Sequence, residues 1–110
     1  MERVEKNVAF LTTLAKGGVK QAKALVLTAS SKQLDAICEI ILNVVKQVIE
    51  LPTALVKKAK KVKRVIRCLA KKTLSRKVRR YYISKYLGVI RRIITAALPV
   101  ISIALSAAQF

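Results

Sequence analysis

The chain lacks histidine and tryptophan altogether, and it has only three glycines, two prolines and two cysteines in 110 residues. Histidine is the commonest metal ligand and exchanges protons near neutral pH, so its absence removes the usual centre of a catalytic or metal site. The few glycines form neither of the glycine-rich motifs that hold nucleotide phosphates. We therefore expect a protein without enzymatic activity, catalytic residues, metal, cofactor or small-molecule substrate.

Hydroxyl and carboxyl groups are present, but their positions have structural explanations. Asp35 and Glu39 stand one helical turn apart near the start of a predicted helix, where carboxylates offset the helix dipole. Ser30, Ser31 and Ser75 precede predicted helices, where serine hydroxyls cap free backbone amides. These side chains are therefore predicted to support helices rather than to carry catalysis.

The two cysteines, Cys38 and Cys68, lack the neighbouring cysteines or histidines that a zinc site requires. We expect two small buried hydrophobic side chains in a reducing compartment, with a disulfide between them as the open alternative. The first residues, MERVEKNVAFLTTLAKGG, place acids where a signal peptide has its basic segment, which argues against such a peptide.

Acidic residues are absent from the entire second part of the sequence. All five lie in residues 1–50 beside seven basic residues, which leaves that part near neutral at +2. Residues 51–110 contain sixteen basic residues and no acidic one, and they account for most of the total charge of +18. A chain of this length with 54% hydrophobic residues is expected to form one domain with its own core. We distinguish three zones: a near-neutral helical half (1–52), a basic helical zone (53–92) and an apolar tail (93–110).

Hydrophobic residues recur at spacings of three and four along most of the chain, and no stretch alternates convincingly with a period of two. The sequence therefore predicts an all-α protein, a compact bundle of five or six short amphipathic helices with an aliphatic core. Ser30 and Gln33 form a capping box that begins the third helix, which should stop at Leu51-Pro52. A later helix should end at Gly88, and the apolar C-terminal helix is predicted to be kinked at Pro99.

Residues 54–72, ALVKKAKKVKRVIRCLAKK, combine an apolar stripe with a dense run of cations. The stripe predicts a helix with one buried face, whose burial is worth roughly 5–10 kcal/mol before opposing terms. Like charges one turn apart cost on the order of 1–2 kcal/mol, so folding should win. We predict one contiguous core between this helix and the preceding one, as an antiparallel pair joined at Leu51-Pro52. Its predicted members are Leu34, Ile37, Ile41, Val44, Val48, Leu55, Val62, Ile66 and Leu69.

The outer side of this helix and the segment after it are predicted to bind a polyanion, with double-stranded DNA as the first candidate. Solvated surfaces usually mix both signs of charge, and this zone does not. Lysine acts as a point charge rather than a base-reading fork, so we expect binding without sequence preference. Tyr81, Tyr82 and Tyr86 could stack on bases, although packing is their commoner role. The predicted nucleic-acid-binding residues are Lys57, Lys58, Lys60, Lys61, Lys63, Arg64, Arg67, Lys71, Lys72, Arg76, Lys77, Arg79 and Arg80.

The last eighteen residues carry no charged side chain and follow Arg91-Arg92. That length is the short limit for a membrane-spanning helix. A basic stretch beside an apolar helix is typical of membrane-active proteins, so contact with an anionic membrane through Ile93–Phe110 is one hypothesis. The hypothesis that we favour is that the tail completes the protein core or an oligomer interface.

Part of the chain resembles a family of small basic proteins encoded by adenovirus-like mobile elements and viruses of animals, the Polinton/Maverick and adintovirus group. The resemblance covers about residues 24–77 and is strongest in AICEIILNVV and IRCLAKKTLSRK. The segment YYISKYLGVIRRIITAALP replaces the family's usual glycine-containing step into the tail, so no tail function is carried over. The resemblance implies a minor virion or core protein with packaged DNA as its partner, located in the virion or the host nucleus.

The leading hypothesis is a non-enzymatic protein that binds and condenses double-stranded DNA as a virion core component. The alternative is a membrane-active virion protein that uses the apolar tail and the basic zone on anionic lipid. A third hypothesis is an interaction protein that binds acidic protein surfaces, such as a capsid protein, or further copies of itself.

Overall fold

A computed structural model describes the backbone of residues 2–71 and 73–108 and the side chains of residues 3–71 and 73–103. The described chain is all-helical and contains no strand, which confirms the predicted fold class. It has eight helices rather than five or six because two of the predicted helices are interrupted. The helices are α1 (Glu2–Lys6), α2 (Val8–Lys16), α3 (Val19–Leu27), α4 (Ser31–Val45), α5 (Thr53–Lys61), α6 (Lys63–Ala70), α7 (Arg76–Lys85) and α8 (Leu87–Ala108).

Two helices begin at serine caps, as predicted. Ser30 Oγ accepts a hydrogen bond from the Gln33 amide at 3.2 Å, and the Ser30 amide donates to Gln33 Oε1 at 2.9 Å, which completes the capping box of α4. Ser75 Oγ accepts from the Val78 amide at 3.3 Å at the start of α7. Each cap satisfies amides that have no partner within the helix and typically contributes about 1 kcal/mol.

Helix α4 is the centre of the fold. It packs against α1, α6, α7 and α8, most extensively against α6. Around it, α8 also packs against α2 and α5, and α3 packs against α7. The buried hydrophobic side chains of the described core are aliphatic apart from one cysteine, in agreement with the low aromatic content. Those contributed by α4 are Leu34, Ala36, Ile37, Cys38, Ile40 and Ile41.

The predicted basic helix is broken at Val62 into α5 and α6. Helix α5 buries Leu55 and packs against α8, whereas α6 buries Ile66, Leu69 and Ala70 and packs mainly against α4. One straight helix would turn its apolar stripe toward one neighbour, and the break lets each segment bury side chains against a different helix. The buried stripe is confirmed, but the predicted pairing with α4 holds only for α6.

Val48 is not part of the core, which corrects the prediction for this residue. Helix α4 ends at Val45 because the chain turns at Gln47, whose φ of 62° is left-handed. The amides of Val48 and Ile49 then donate to the Asn43 carbonyl, at 2.9 and 3.2 Å. The turn leaves Val48 62% exposed and Ile49 only 2% exposed. The other predicted core members are buried or packed against the core.

Two further boundaries differ from the prediction. The first predicted helix is divided at Asn7 into α1 and α2. Helix α7 ends at Lys85, and α8 begins at Leu87 after a bend of 91°. Gly88 therefore lies in the first turn of α8 and does not end a helix. The bend at Tyr86 lets α7 pack against α3 while α8 packs against α2 and α5.

The apolar tail belongs to the core over most of its described length. Helix α8 continues past Pro99, and the kink at that residue stays a prediction. No single described helix is long and apolar enough to cross a membrane, whereas α7 and α8 together pass that test by length and composition, as a bent pair. Residues 109 and 110 of the proposed membrane segment lie outside the described residues. The buried side chains of the tail are Ile93, Ile94, Ala97, Leu98 and Ile101.

Replacing Ile41 or Ile66 with alanine is expected to lower the free energy of unfolding by roughly 2–5 kcal/mol, because each change leaves a cavity where α4 and α6 pack. Ile41 is 0% exposed and Ile66 is 6% exposed. Val48→Ala is the control, and at 62% exposure it should change the free energy by less than about 0.5 kcal/mol. Denaturant unfolding followed by circular dichroism measures all three, and equal effects would contradict the packing described.

The two sides of α8 should respond differently to a charge. Ile94 is 0% exposed and Ile103 is 70% exposed on the same helix. Ile94→Asp is expected to abolish cooperative thermal unfolding because a buried unpaired carboxylate costs several kcal/mol. Ile103→Asp should unfold like the parent chain. If both variants fold normally, the tail is not part of the core.

Candidate nucleic-acid interface

Ten of the predicted binding residues are exposed cations, and we call this set the basic face. Their helices turn apolar side chains inward and leave the charged ones in solvent. Helices α6 and α7 both pack against α4 and are consecutive in the chain. Lys72 lies outside the described residues. The basic face comprises Lys57, Lys58, Lys60, Lys61, Lys63, Arg64, Arg67, Lys71, Arg76 and Lys77.

Arg79 is used inside the protein. Its side chain is 15% exposed, its guanidinium forms a salt bridge with Asp35 of α4, and its Nε donates to the Leu74 carbonyl at 3.1 Å. Arg3 of α1 lies 3.7 Å from the other carboxylate oxygen of Asp35. One carboxylate thereby joins α1, α4 and α7. Binding of DNA by Arg79 stays a prediction, and it would require the guanidinium to leave this pair.

Arg91 of α8 binds the carboxyl end of α2. Its Nε donates to the Leu14 carbonyl at 2.9 Å, and its Nη2 donates to the carbonyls of Ala15, at 3.2 Å, and Gly17. The last carbonyls of a helix have no partner within it and carry partial negative charge, so a guanidinium satisfies both needs. Arg80 makes the same kind of contact just beyond the end of α3, with the carbonyl of residue 29. We call Arg79, Arg80 and Arg91 the internal arginines.

A groove of ≈570 Å³ lies between α3 and α7, and we call it the α3–α7 groove. Helix α3 contributes Lys23 and Leu27 to its walls. Four of its seven lining residues are cations and none is a carboxylate, which makes it an electropositive site. Leu27 is 65% exposed. The lining residues from α7 are Lys77, Arg80, Tyr81, Ser84 and Lys85.

The three tyrosines of this region are not equivalent. Tyr81 is 58% exposed, whereas Tyr82 and Tyr86 are partly buried against the core. The rings of Tyr81 and Tyr82 meet edge to face, with 5.5 Å between their centres. Lys85 Nζ lies 5.7 Å from the centre of the Tyr81 ring and 5.6 Å from that of Tyr86. A hydrogen bond with Tyr81, and then its charge, raises the pKa of Lys85 above the usual range, so this ammonium stays charged.

A second groove, of ≈490 Å³, lies between the end of α4, the loop after it, and α5 and α6. Its lining is largely aliphatic, and Lys60, Lys63 and Arg67 of the basic face border it. Glu50 lines the same groove, so a carboxylate from the near-neutral half offsets part of the positive charge there.

The described part of the chain shows no cluster of three or more cysteine, aspartate, glutamate or histidine side chains that could hold a metal ion. The two cysteines do not form a disulfide: Cys38 is buried, as predicted, and Cys68 is exposed, which corrects the expectation for that residue.

Sequence reasoning did not single out Lys23, Lys85 or Arg91. Lys85 follows Tyr81 by one helical turn, and that spacing could have indicated their contact. Lys23 belongs to the near-neutral half, where no local pattern connects it with α7. Arg91 and Arg92 are adjacent cations, and only the packing of α8 turns one inward and leaves the other exposed.

Arg91→Met should lower the free energy of unfolding by about 1–3 kcal/mol, because the carbonyls at the end of α2 lose their donors. Arg92→Met is the matched control, since it removes the same charge from an exposed position one residue later and should change little. Arg91→Lys should recover only part of the loss, because an ammonium cannot reproduce the guanidinium fork. Thermal and denaturant unfolding provide the measurement. Equal losses for Arg91→Met and Arg92→Met would show that charge rather than these bonds is responsible.

The basic face and the α3–α7 groove are therefore the candidate binding surfaces of the protein. Comparisons of the chain with protein-family models, with curated proteins and with solved structures find no match.

Proposed function

We propose that the protein binds and condenses double-stranded DNA, without sequence preference, through the basic face of α5, α6 and the start of α7. The observation that carries this proposal is the separation of buried apolar side chains from exposed cations on those helices. The buried side chains of α5 and α6 pack against α8 and α4 of the same chain, while ten cations stay in solvent. A surface with this composition needs an outside source of negative charge.

The closely spaced phosphates of DNA can neutralise the charge of the basic face better than isolated carboxylates can. Duplex DNA carries about one charge per 1.7 Å of its axis, and binding releases condensed counterions, which favours association at low salt. Cations on successive helical turns can each meet a different phosphate. Phosphate contacts orient a protein on DNA without reading sequence, so lysine-rich helices suit a packaging role.

Repulsion within the basic face supports the same proposal. Lys57 and Lys61 on α5, like Lys63 and Arg67 on α6, are like-charged neighbours one turn apart. Such pairs destabilise a helix by a few tenths of a kcal/mol each until a counter-charge arrives. Binding of a polyanion removes this repulsion, so the folded protein should be more stable on DNA.

The setting of this activity follows from the resemblance described above. A small basic protein of the Polinton/Maverick and adintovirus type would meet its DNA in the virion core or in the host nucleus. Capsid protein or further copies of the chain would be additional partners in that setting.

Membrane binding is the second candidate function. The bent pair of α7 and α8 has the length and composition of a broken membrane span, which is the observation in its favour. Against it, Ile93, Ile94 and Ala97 of the tail are already buried within the protein. Insertion would require α8 to leave the core, so DNA binding is the simpler proposal.

The DNA proposal predicts a steep dependence on salt. With about six to ten phosphates neutralised, log affinity for a duplex should fall linearly with log salt, at a slope of about −0.9 per contact. Replacing Lys60, Arg64 and Arg67 together with glutamine should make that slope shallower by about three contacts and weaken all DNA sequences alike. Fluorescence anisotropy titrations at several salt concentrations measure the slope.

A triple variant with the same loss of charge elsewhere is the matched control. Lys16, Lys20 and Lys32 are exposed in the near-neutral half, and their replacement with glutamine should change the slope much less. Equal effects of the two triple variants would show that net charge, and not the basic face, binds DNA. A parent protein with a shallow slope that floats with phosphatidylserine vesicles would favour the membrane function.

A further inference from the structure

We propose that the α3–α7 groove binds an unpaired nucleotide of a nucleic-acid strand, with the base stacked on Tyr81 and its neighbouring phosphates on Lys23, Lys77 and Lys85. This inference rests on the proposed nucleic-acid binding and adds a different kind of contact, with the face of a base instead of the outside of a duplex. Apart from Lys77, the residues of the groove are not members of the basic face.

Tyr81 provides the surface on which a base can stack. Its ring is 58% exposed, yet the edge-to-face contact with Tyr82 restricts its position. A ring that is already ordered loses little freedom on binding, so more of the stacking energy is retained. Leu27, 65% exposed in the same groove, adds an apolar surface from α3. Tyr82 and Tyr86 are partly buried and do not line this groove.

Cations reach the groove from both of its walls. Lys23 lies on α3, while Lys77 and Lys85 lie on α7, so phosphates on either side of a stacked base would each meet an ammonium. The position of Lys85 is favoured by the rings of Tyr81 and Tyr86, since an ammonium is attracted to the face of an aromatic ring. The hydrogen bond with Tyr81 raises the pKa of Lys85, which favours its charged form.

The interior of the groove also suits a base. Its volume of ≈570 Å³ is within the range typical of small-ligand sites. Two groups on its α7 wall, Arg80 Nε and Ser84 Oγ, are buried and find no hydrogen-bond partner in the described part of the chain. Buried polar groups are normally paired, so unpaired ones beside a groove favour a ligand with hydrogen-bonding edges. A base has such edges as well as an apolar face.

Other ligand classes fit fewer of these features. An acidic peptide would pair with the cations but has no flat ring to cover Tyr81. The phosphate of a lipid headgroup would likewise use the lysines and leave the aromatic face without a specific partner. Stacking on an aromatic side chain is the common mode of binding to single strands, because every base has a face to offer.

The test compares labelled oligothymidine of about twelve nucleotides with a duplex of equal length, at one salt concentration, by fluorescence anisotropy with the full chain. Tyr81→Ala should weaken oligothymidine binding by roughly 5- to 100-fold, the equivalent of one lost stacking contact, and duplex binding by less than about twofold. Tyr81→Phe keeps the ring and should bind like the parent. Val19→Ala, a 58% exposed side chain of α3 that does not line the groove, should also bind like the parent.

Tyr81→Trp gives a direct reading of stacking, because the chain contains no other tryptophan. Its fluorescence should be quenched by oligothymidine and much less by duplex or by phosphatidylserine vesicles. If Tyr81→Ala weakens single-strand binding no more than Val19→Ala does, or weakens duplex binding equally, the groove proposal is wrong and duplex binding stands. If the parent binds neither nucleic acid, the proposed function fails, and the groove proposal fails with it.

Discussion

Guanidinium groups of the basic zone bind carbonyl and carboxylate groups of the near-neutral half, and these bonds join the two parts of the molecule. The second part of the chain has no carboxylate of its own, so cations that enter the interior must find their partners elsewhere. Arg91 finds them in the carbonyls at the end of α2, and Arg79 finds one in Asp35. These bonds add polar contacts to the apolar packing that joins the two halves of the chain. The α3–α7 groove depends on this junction, because Arg79 bonds α7 to α4 and Arg80 bonds α7 to the backbone just beyond α3.

The internal and external cations differ in composition, because seven of the ten cations of the basic face are lysines. The internal ones are arginines, whose planar fork can donate to several carbonyls at once. Lysines predominate on α5, where a compact ammonium on a flexible stem can adapt to phosphates in many positions. The same excess of positive charge therefore serves two purposes. A few groups stabilise the fold through fixed geometry, and the remainder stay hydrated and adaptable.

The fold class and the helix starts could be predicted because they depend on local patterns. Ser30 with Gln33, and Ser75, are recognisable caps, and three-four spacing identifies buried faces. The break at Val62 could not be predicted, since it depends on the packing of α5 against α8 and of α6 against α4. The burial of Ile49 instead of Val48 depends on the left-handed backbone of Gln47. Because this residue is not a glycine, the sequence gives no sign of the turn. The role of Arg91 depends on carbonyls 74 to 77 residues earlier in the chain, which no local pattern encodes.

The 74 to 77 residues between Arg91 and its partner carbonyls have a consequence for folding during synthesis. A chain emerges from the ribosome with its N-terminal part first, and domains generally fold as units. Here α2 is produced early, but the guanidinium that binds its end lies 77 residues later, in the helix α8 that packs against α2. Until then the apolar side chains of α4 also lack much of their cover. The native core should therefore form only once α8 has emerged from the ribosome, at a rate limited by contacts between distant parts of the chain.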